Sequence, residues 1–311
     1  MKIPSKWDAA RLFASNKVSP KPKGPKPDAD LKGFMPGHIL NRPTIWRAGV
    51  IFASPHSGNI YPDSFINSSQ LTLAQLRRNE DIFIDKLFAP AIVAGAPLLT
   101  ARFPRCFVDV NRAADEIPQK WSDAPLDPSA RTHAGIGVIP THINEAMPIY
   151  QTEPSQAQAM ARIHKLYDPY HNALRGIIDE SLNMFGAALL IDCHSMPGFA
   201  PMGSRRPDIV LGDRFGKSCQ PETLAMFKAL FVQAGYSVAI NHPYAGGYVT
   251  THYGQLKTGV EAIQIEINRD LYLNPTALSP NRGYDELAEN LKHIIPQIIQ
   301  AASAQNALAA Q

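Results

Sequence analysis

The chain contains 311 residues, of which 45% are hydrophobic and 18% are charged, and its net charge is +3. This composition is typical of a globular protein with a large core and excludes an intrinsically disordered chain. The weak basic excess does not favour nucleic acid as a partner. Because no apolar run reaches about 18 residues, we expect no membrane span. Three widely spaced cysteines (Cys106, Cys193 and Cys219) predict a reducing, cytoplasmic location without a disulfide framework.

The first part of the chain differs in composition from the rest. Residues 18–33 are rich in proline and lysine, which is typical of an extended or mobile segment. The beginning of the chain has no long apolar stretch, so we expect no secretory signal. We therefore divide the chain into an N-terminal extension, partly mobile, at residues 1–40 and a single folded domain at residues 41–311.

Apolar patterning in the second part predicts alternating strands and helices. Short apolar runs that end in breakers or polar groups predict buried strands, and they lie at residues 49–53, 106–112, 187–191, 208–213, 236–241 and 260–267. Helical periodicity is found at residues 71–89, 154–185, 221–235 and 285–301, with a bend at Pro169. This alternation predicts an α/β fold with a mixed, mostly parallel central sheet and helices on both faces.

Polar side chains follow four of these apolar runs. His56 follows the first run, Asp192 and His194 follow the run at 187–191, and the runs at 106–112 and 260–267 also end in polar groups. The carboxyl ends of parallel strands share one edge of a sheet, so we expect these groups to converge there. Two histidines with one carboxylate are the ligand set of a catalytic zinc ion. The alternative for Asp192 and His194 is a buried hydrogen bond that supports the strand end.

Glu266 is the candidate general base. The period of two in a strand puts Gln264, Glu266 and Asn268 on one face of the last strand, opposite three isoleucines. A carboxylate in such a strand is costly unless it is paired or bound to metal, and beside a metal-bound water it can accept a proton. The alternative is a salt bridge from Glu266 to Arg269 or to another arginine.

Asn111 and Arg112 suit the recognition of a substrate carboxylate. A guanidinium binds a carboxylate through two parallel hydrogen bonds, and a neighbouring amide adds a donor. An ordinary surface dipeptide is the alternative. Arg162 and Arg205 are candidates for a second carboxylate contact, with a solvated charge as the alternative for each.

Five motifs together carry a family resemblance. In chain order they are Ser-Pro-His-Ser-Gly, Phe-Val-Asp-Val-Asn-Arg, Ile-Asp-Cys-His-Ser-Met-Pro, Pro-Tyr-Ala-Gly-Gly-Tyr and Gln-Ile-Glu-Ile-Asn-Arg-Asp-Leu-Tyr. This ordered set, from about residue 43 to residue 273, resembles the N-formylglutamate amidohydrolases. The resemblance implies a zinc-dependent hydrolase with the phosphorylase/hydrolase-like fold shared with zinc carboxypeptidases and the aspartoacylase group. Residues 41–311 are then the catalytic domain.

The resemblance also implies roles for individual residues. His56 and His194 match the two histidine ligands of a single Zn²⁺ ion. Asn111 and Arg112 match the pair that binds the substrate carboxylate, and Glu266 matches the base.

The resemblance also implies an acidic ligand. The family pattern has an acid about 25 residues after that histidine, which points to Asp81, with Glu80 as the alternative. Asp81 as a simple helix N-cap is a further interpretation.

Two more side chains are expected near the substrate. His171 belongs to a Tyr-His pair that resembles the family pattern, and core packing is its alternative. Tyr248 follows two glycines in a flexible loop that could close over the site.

These observations predict hydrolysis of the amide bond of a small N-acylated amino acid. N-formyl-L-glutamate, which would yield formate and glutamate, is the named candidate. The expected partners are Zn²⁺ and a small carboxylate-bearing substrate, without nucleic acid or membrane. Another zinc deacylase or peptidase is one alternative, and a non-catalytic binding protein on the same scaffold is another.

Overall fold

The computed structural model describes residues 31–122, 129–144 and 146–309. Within these ranges the chain forms a central sheet with helices and a buried core on each face. None of the helices described is both long enough and apolar enough to cross a membrane. The predicted α/β fold is therefore confirmed.

Seven strands form the central sheet of the described chain, in the order β1-β3-β2-β4-β7-β5-β6. The middle strands β3, β2, β4 and β7 run parallel, whereas β1 and the β5–β6 pair run antiparallel to them. Two short strands, β8 and β9, form a separate hairpin. The strands are β1 (His38–Asn41), β2 (Val50–Ser54), β3 (Leu98–Ala101), β4 (Ala188–Met196), β5 (Ile209–Gly212), β6 (Val238–Ile240), β7 (Val260–Asn268), β8 (Leu273–Asn274) and β9 (Ser279–Pro280).

The helices cover both faces of the sheet. One face packs against α6 and α7, and the other packs against α8 and α10. The helices are α1 (Asp63–Ser68), α2 (Leu73–Arg77), α3 (Ile84–Leu87), α4 (Pro90–Ala94), α5 (Ala130–His133), α6 (Gln156–Arg162), α7 (Asp168–Phe185), α8 (Pro221–Gln233), α9 (Tyr248–Tyr253) and α10 (Tyr284–Ala309).

Alternation along β4 and β7 separates apolar from polar side chains at their carboxyl ends. Cys193 and the three isoleucines of β7 lie in the core beneath α8 and α10. His194, Gln264 and Glu266 therefore project from the opposite face, as the period of two predicts. β4 and β7 pair in parallel with His194 opposite Glu266, so the register puts these two residues side by side.

A single π-helical turn, Ile163–Tyr167, joins α6 to α7 just before Pro169. Proline has no N–H to donate to the preceding turn, and a local widening of the helix accommodates this loss. The bend predicted at Pro169 thus takes the form of a π-helical turn. Tyr167 Oη, at the end of that turn, donates to Arg112 O at 2.8 Å and so ties the helix to the loop before it.

Residues 106–112 form turns, and the expectation of a strand end there is wrong. The N–H of Phe107 donates to Pro104 O, and the N–H of Asp109 donates to Val138 O. The apolar side chains of this run are buried in the core beneath α7. An apolar run indicates burial, but burial does not require a strand.

The predicted division at residue 40 falls inside β1, which pairs antiparallel with β3. Phe34, in a 3₁₀ turn before β1, is fully buried against Phe103 and Phe107. Residues 31–40 therefore belong to the sheet and its core. Residues 1–30, which hold most of the segment predicted to be mobile, lie outside the described residues.

Candidate metal centre and active site

His56 and His194 lie together at the carboxyl edge of the sheet. His56 follows β2 by two residues, and His194 lies in β4, which pairs in parallel with β2. Both side chains are buried, and their ring centroids are 4.7 Å apart. The convergence of strand ends predicted from the sequence brings these two histidines together.

Asp81 lies between the two imidazoles. Its Oδ2 is 2.9 Å from His194 Nδ1 and 3.5 Å from His56 Nδ1, and its N–H donates to His56 O at 3.0 Å. One ligand atom from each of the three residues can be chosen so that all lie within 4.8 Å of one another. Burial alone would raise the pKa of Asp81, but its hydrogen bond with His194 and the nearby imidazole of His56 hold that pKa well below its usual range.

Two further carboxylates orient the imidazole rings. Asp109 Oδ1 lies 2.7 Å from His56 Nε2, and Asp192 Oδ2 lies 2.9 Å from His194 Nε2. A carboxylate that accepts Nε2–H leaves the Nδ1 lone pair available to a metal ion. His56 Nδ1 is buried and has no hydrogen-bond partner within the described chain. This orphaned nitrogen and the His-Asp-His donor set fit a zinc ion.

The second oxygen of Asp81 is held by two donors. Arg269 Nη2 donates to Asp81 Oδ1 at 2.9 Å, and Ser195 Oγ donates to it at 3.0 Å. Both oxygens of this carboxylate therefore have fixed neighbours. Because Arg269 is engaged with Asp81, the alternative of a Glu266–Arg269 salt bridge is not found in the described structure.

Glu80 points away from the histidines. Its Oε1 accepts from Tyr61 Oη at 2.7 Å and from Arg77 Nε at 3.1 Å. The N-cap residue of α3 is Phe83, at φ 66°, and the side chain that accepts from the first turn of this helix is that of Ser57, which bonds to the N–H of Asp85 at 3.1 Å. Of the two acids considered, Asp81 is therefore the one that lies with the two histidines, and it is not the N-cap residue of α3.

Glu266 lies beside His194 and is almost completely buried. Burial raises its pKa to about 7, with the negative charge of Asp81 acting in the same direction. Gln264 Nε2 donates to Glu266 Oε1 at 2.8 Å, which fixes one oxygen of the carboxyl group. A carboxyl group with a pKa near neutrality suits proton transfer in both directions.

Asn111 is buried at the centre of the site. Its Oδ1 accepts from the N–H of Val249 at 2.8 Å, and its Nδ2 lies 3.1 Å from Asp192 Oδ2 and 3.0 Å from His194 Nε2. The structure thus places Asn111 where it supports the imidazole of His194. Its contact with a substrate carboxylate stays a prediction.

Arg112 lies next to Asn111 on the same turn and is partly buried. Its Nε donates to Ile136 O at 3.2 Å, and its Nη1 donates to Asn111 O at 3.1 Å. No hydrogen bond from Nη2 is found among the described residues. One side of the guanidinium is therefore anchored to the main chain, and the other side can meet an anion.

His171 and Tyr248 lie in an aromatic cluster next to this turn. His171 Nε2 donates to Val110 O at 2.9 Å, and its Nδ1 lies 2.9 Å from Tyr253 Oη. Burial lowers the pKa of His171 to about 3, so the ring is neutral. Both ring nitrogens are engaged, which matches the packing alternative. Tyr248, at the start of α9, stacks on His252 with ring centroids 4.8 Å apart.

A family model described as N-formylglutamate amidohydrolase matches residues 48–273. The chain belongs to this family. It is therefore a hydrolase that acts on an amide bond, and the resemblance inferred from five motifs is confirmed.

Known relatives match this family member over most of their length. The N-formylglutamate deformylase of Pseudomonas aeruginosa is 30% identical over 260 residues, which cover 82% of this chain and 92% of the relative. The N-formylglutamate deformylase of Pseudomonas putida is 29% identical over the same shares of both chains. The crystal structure of the N-formylglutamate amidohydrolase from Ralstonia eutropha JMP134 has a TM-score of 0.80 and 31% identity, and the match covers 86% of this chain and 98% of that one.

Two arginines that no sequence pattern assigns to the site of this amidohydrolase pair with its buried carboxylates. Arg105 Nη2 donates to Asp109 Oδ2 at 2.9 Å, and Arg269 was considered only as a partner of Glu266. Arg105 lies in a loop with no periodic pattern, so no sequence signal connected it to the site. Gln264, by contrast, is identified by the period of two, which places it next to Glu266 on one face of the strand, and the two side chains are hydrogen-bonded.

Asp81 and Glu80 provide a matched test of the metal centre. We expect Asp81→Asn to weaken Zn²⁺ binding by more than the roughly 10- to 100-fold caused by loss of a residue that supports a ligand. Glu80→Gln should bind Zn²⁺ like the unmodified protein, because its carboxylate faces Tyr61 and Arg77. Calorimetric titration of chelator-stripped protein measures both. Equal loss in the two variants would remove Asp81 from the ligand set.

Proposed function

We propose that this chain is a zinc-dependent N-formylglutamate deformylase, which hydrolyses N-formyl-L-glutamate to formate and L-glutamate. The observation that carries the proposal is a buried His56-Asp81-His194 group with Glu266 beside it in register. The names of the Pseudomonas relatives support the choice of substrate.

His56, Asp81 and His194 would hold one Zn²⁺ ion through the two Nδ1 atoms and a carboxylate oxygen. Bound there, zinc lowers the pKa of a water molecule to about 7 and polarises the formyl carbonyl. In this proposal Asp109 would accept Nε2–H from His56, and Asp192, 2.9 Å from His194 Nε2, would do the same for His194, which would leave both Nδ1 atoms unprotonated.

Glu266 moves the proton in this proposal. Its carboxylate accepts a proton from the attacking water, and the carboxyl group then gives that proton to the nitrogen of the departing glutamate. Gln264 holds Oε1, so Oε2 is the oxygen available for both transfers. A pKa of about 7 allows the group to accept and to release a proton near neutral pH.

Arg112 binds a carboxylate of the substrate in this proposal. Two main-chain carbonyl groups anchor its Nε and Nη1, which keeps the planar group in place before substrate arrives. A guanidinium held in this way loses less conformational freedom when it binds. Contacts from Asn111, His171 and Tyr248 to the substrate are weaker parts of the proposal, since protein groups already engage the first two.

A panel of acyl substrates tests the proposed function. The zinc-loaded protein should release glutamate fastest from N-formyl-L-glutamate, more slowly from the N-acetyl and N-succinyl compounds, and not at all after removal of metal with a chelator. Added Zn²⁺ should restore activity, because the three ligands remain in place. Faster release from an N-acetyl or N-succinyl compound would favour another deacylase. Full activity of the metal-free protein would rule out zinc dependence.

Glu266→Gln should lower kcat for N-formyl-L-glutamate by about 10²- to 10⁴-fold, which is the usual loss when a general base is removed. Its zinc content should stay near that of the unmodified protein, because Glu266 is not among the proposed ligands. Glu261→Gln is the control, since Glu261 lies on the same strand at the opposite end and accepts from Gln220 N–H. A Glu266→Gln variant with normal kcat would show that another group accepts the proton.

Arg112→Gln should raise KM for N-formyl-L-glutamate by about 10- to 100-fold, because a charge-assisted contact to the substrate is lost. Steady-state formate release measures this effect. Arg42→Gln is the control. It also removes an arginine, but this arginine makes an exposed ion pair with Glu180 and is not among the proposed substrate contacts. An unchanged KM in Arg112→Gln would remove Arg112 from the pocket.

A further inference from the structure

The proposed substrate carries two carboxylates, whereas Arg112 accounts for one. A carboxylate removed from water is costly unless a cation pairs with it, so the other carboxylate needs its own partner. The sequence suggested Arg162 or Arg205 for this purpose, and the structure favours neither. Arg162 is buried among Phe65, Phe107 and Tyr150 and donates to Tyr150 Oη.

Arg205 is directed at solvent. Its side chain is 66% exposed, and its nearest acidic group is Asp208 Oδ1 at 3.6 Å. An exposed ion pair of this kind contributes little free energy and competes with water for any ligand. Arg206, the next residue in the chain, has a different environment.

The main chain at Arg206 contacts the carboxyl end of β7, two residues beyond Glu266. Its carbonyl oxygen accepts from Asn268 Nδ2 at 3.3 Å, and Asn268 is the last residue of β7. Asn268 N–H in turn donates to Asp208 O, which joins the end of this loop to the same strand. The loop from β4 to β5 therefore carries Arg206 to the carboxyl end of the strand that bears Glu266.

The guanidinium of Arg206 lies over an aromatic ring and lacks a carboxylate partner within the described residues. Its central carbon lies 5.3 Å from the centre of the Tyr244 ring, and its Nη1 donates to Pro197 O at 3.1 Å. Its Nε is buried and makes no hydrogen bond to the described chain. Arg105 and Arg269, by contrast, are each paired with a carboxylate of the metal centre.

Tyr244, which lies under the Arg206 guanidinium, belongs to a loop that contacts the neighbour of Glu266. It lies three residues before Gly247, whose N–H donates to Gln264 Oε1 at 2.8 Å, and Gln264 donates to Glu266. A Cβ at Gly247 would lie 2.5 Å from Asn111 Oδ1, so only glycine lets this loop approach so closely. The loop that carries Tyr244 is thus tied to Gln264, which is hydrogen-bonded to the proposed base. Burial raises the pKa of Tyr244, and the negative charge of Glu266 helps to raise it.

We propose that Arg206, which lies over the Tyr244 ring, binds the side-chain carboxylate of the substrate and makes the enzyme selective for acidic N-formyl amino acids. This inference rests on the proposed deformylase function. A guanidinium fork fits a carboxylate better than it fits the neutral amide of the same shape. N-formyl-L-glutamine differs from N-formyl-L-glutamate only in having a neutral amide in place of this carboxylate. A comparison of the two therefore measures the contact with Arg206.

The test compares kcat/KM for N-formyl-L-glutamate with kcat/KM for N-formyl-L-glutamine. Arg206→Gln should lower the ratio of the two values by about 10- to 100-fold, the effect of losing one charge-assisted hydrogen-bonded pair. Arg206→Lys, which keeps the charge without the fork, should give an intermediate ratio. Arg205→Gln is the matched control and should leave the ratio unchanged. A normal ratio in Arg206→Gln, or an equal fall for both substrates, would overturn the proposal.

A binding measurement separates this inference from the proposed function. The dissociation constants of both compounds are measured by calorimetry in the Glu266→Gln variant, with and without Arg206→Gln. A loss of preference for the glutamate compound on adding Arg206→Gln supports the contact even if no formate is released by the unmodified enzyme. Absence of formate release would overturn the deformylase activity alone. A preference that survives in the double variant would overturn the Arg206 contact.

Discussion

Asp81 is a buried carboxylate that faces two imidazoles on one oxygen and a guanidinium on the other. Moving an unpaired carboxylate from water into a protein interior costs several kcal/mol, so favourable interactions with its neighbours must offset this cost. Here the neighbours come from the end of β2, from β4 and from the turn after β7. One ionic cluster therefore joins three separate segments at the sheet edge, and the proposed metal ligands owe their positions to it.

The groups around this cluster are held in turn. Asp109 and Asp192 fix the two rings, Arg105 pairs with Asp109, and Asn111 lies against Asp192. Support of this type sets the tautomer of a histidine ligand and keeps it aimed at the metal. The contact between His171 and Val110 then anchors the turn to α7.

Much of the fold and part of the site could be predicted because strand geometry is local. An uninterrupted apolar run that ends in polar residues identifies a buried strand, and the period of two puts Gln264, Glu266 and Asn268 on one face of the last strand. Asp109 and Asn111 follow a similar apolar run, yet they lie on turns. A short apolar segment indicates that its side chains are buried. Whether its backbone forms a strand or a turn depends on how those side chains pack.

The sequence by itself determined the alternating α/β order, the strand ends that bear His56 and His194, and the face occupied by Glu266. It left open which of two adjacent acids meets the histidines, and for a second carboxylate contact it offered Arg162 and Arg205 but not Arg206. Only the tertiary structure separated Asp81 from Glu80 and Arg206 from Arg205. Neighbouring residues in a loop follow no fixed period, so the direction of each side chain depends on partners distant in the chain, such as Arg269 for Asp81 and Tyr244 for Arg206.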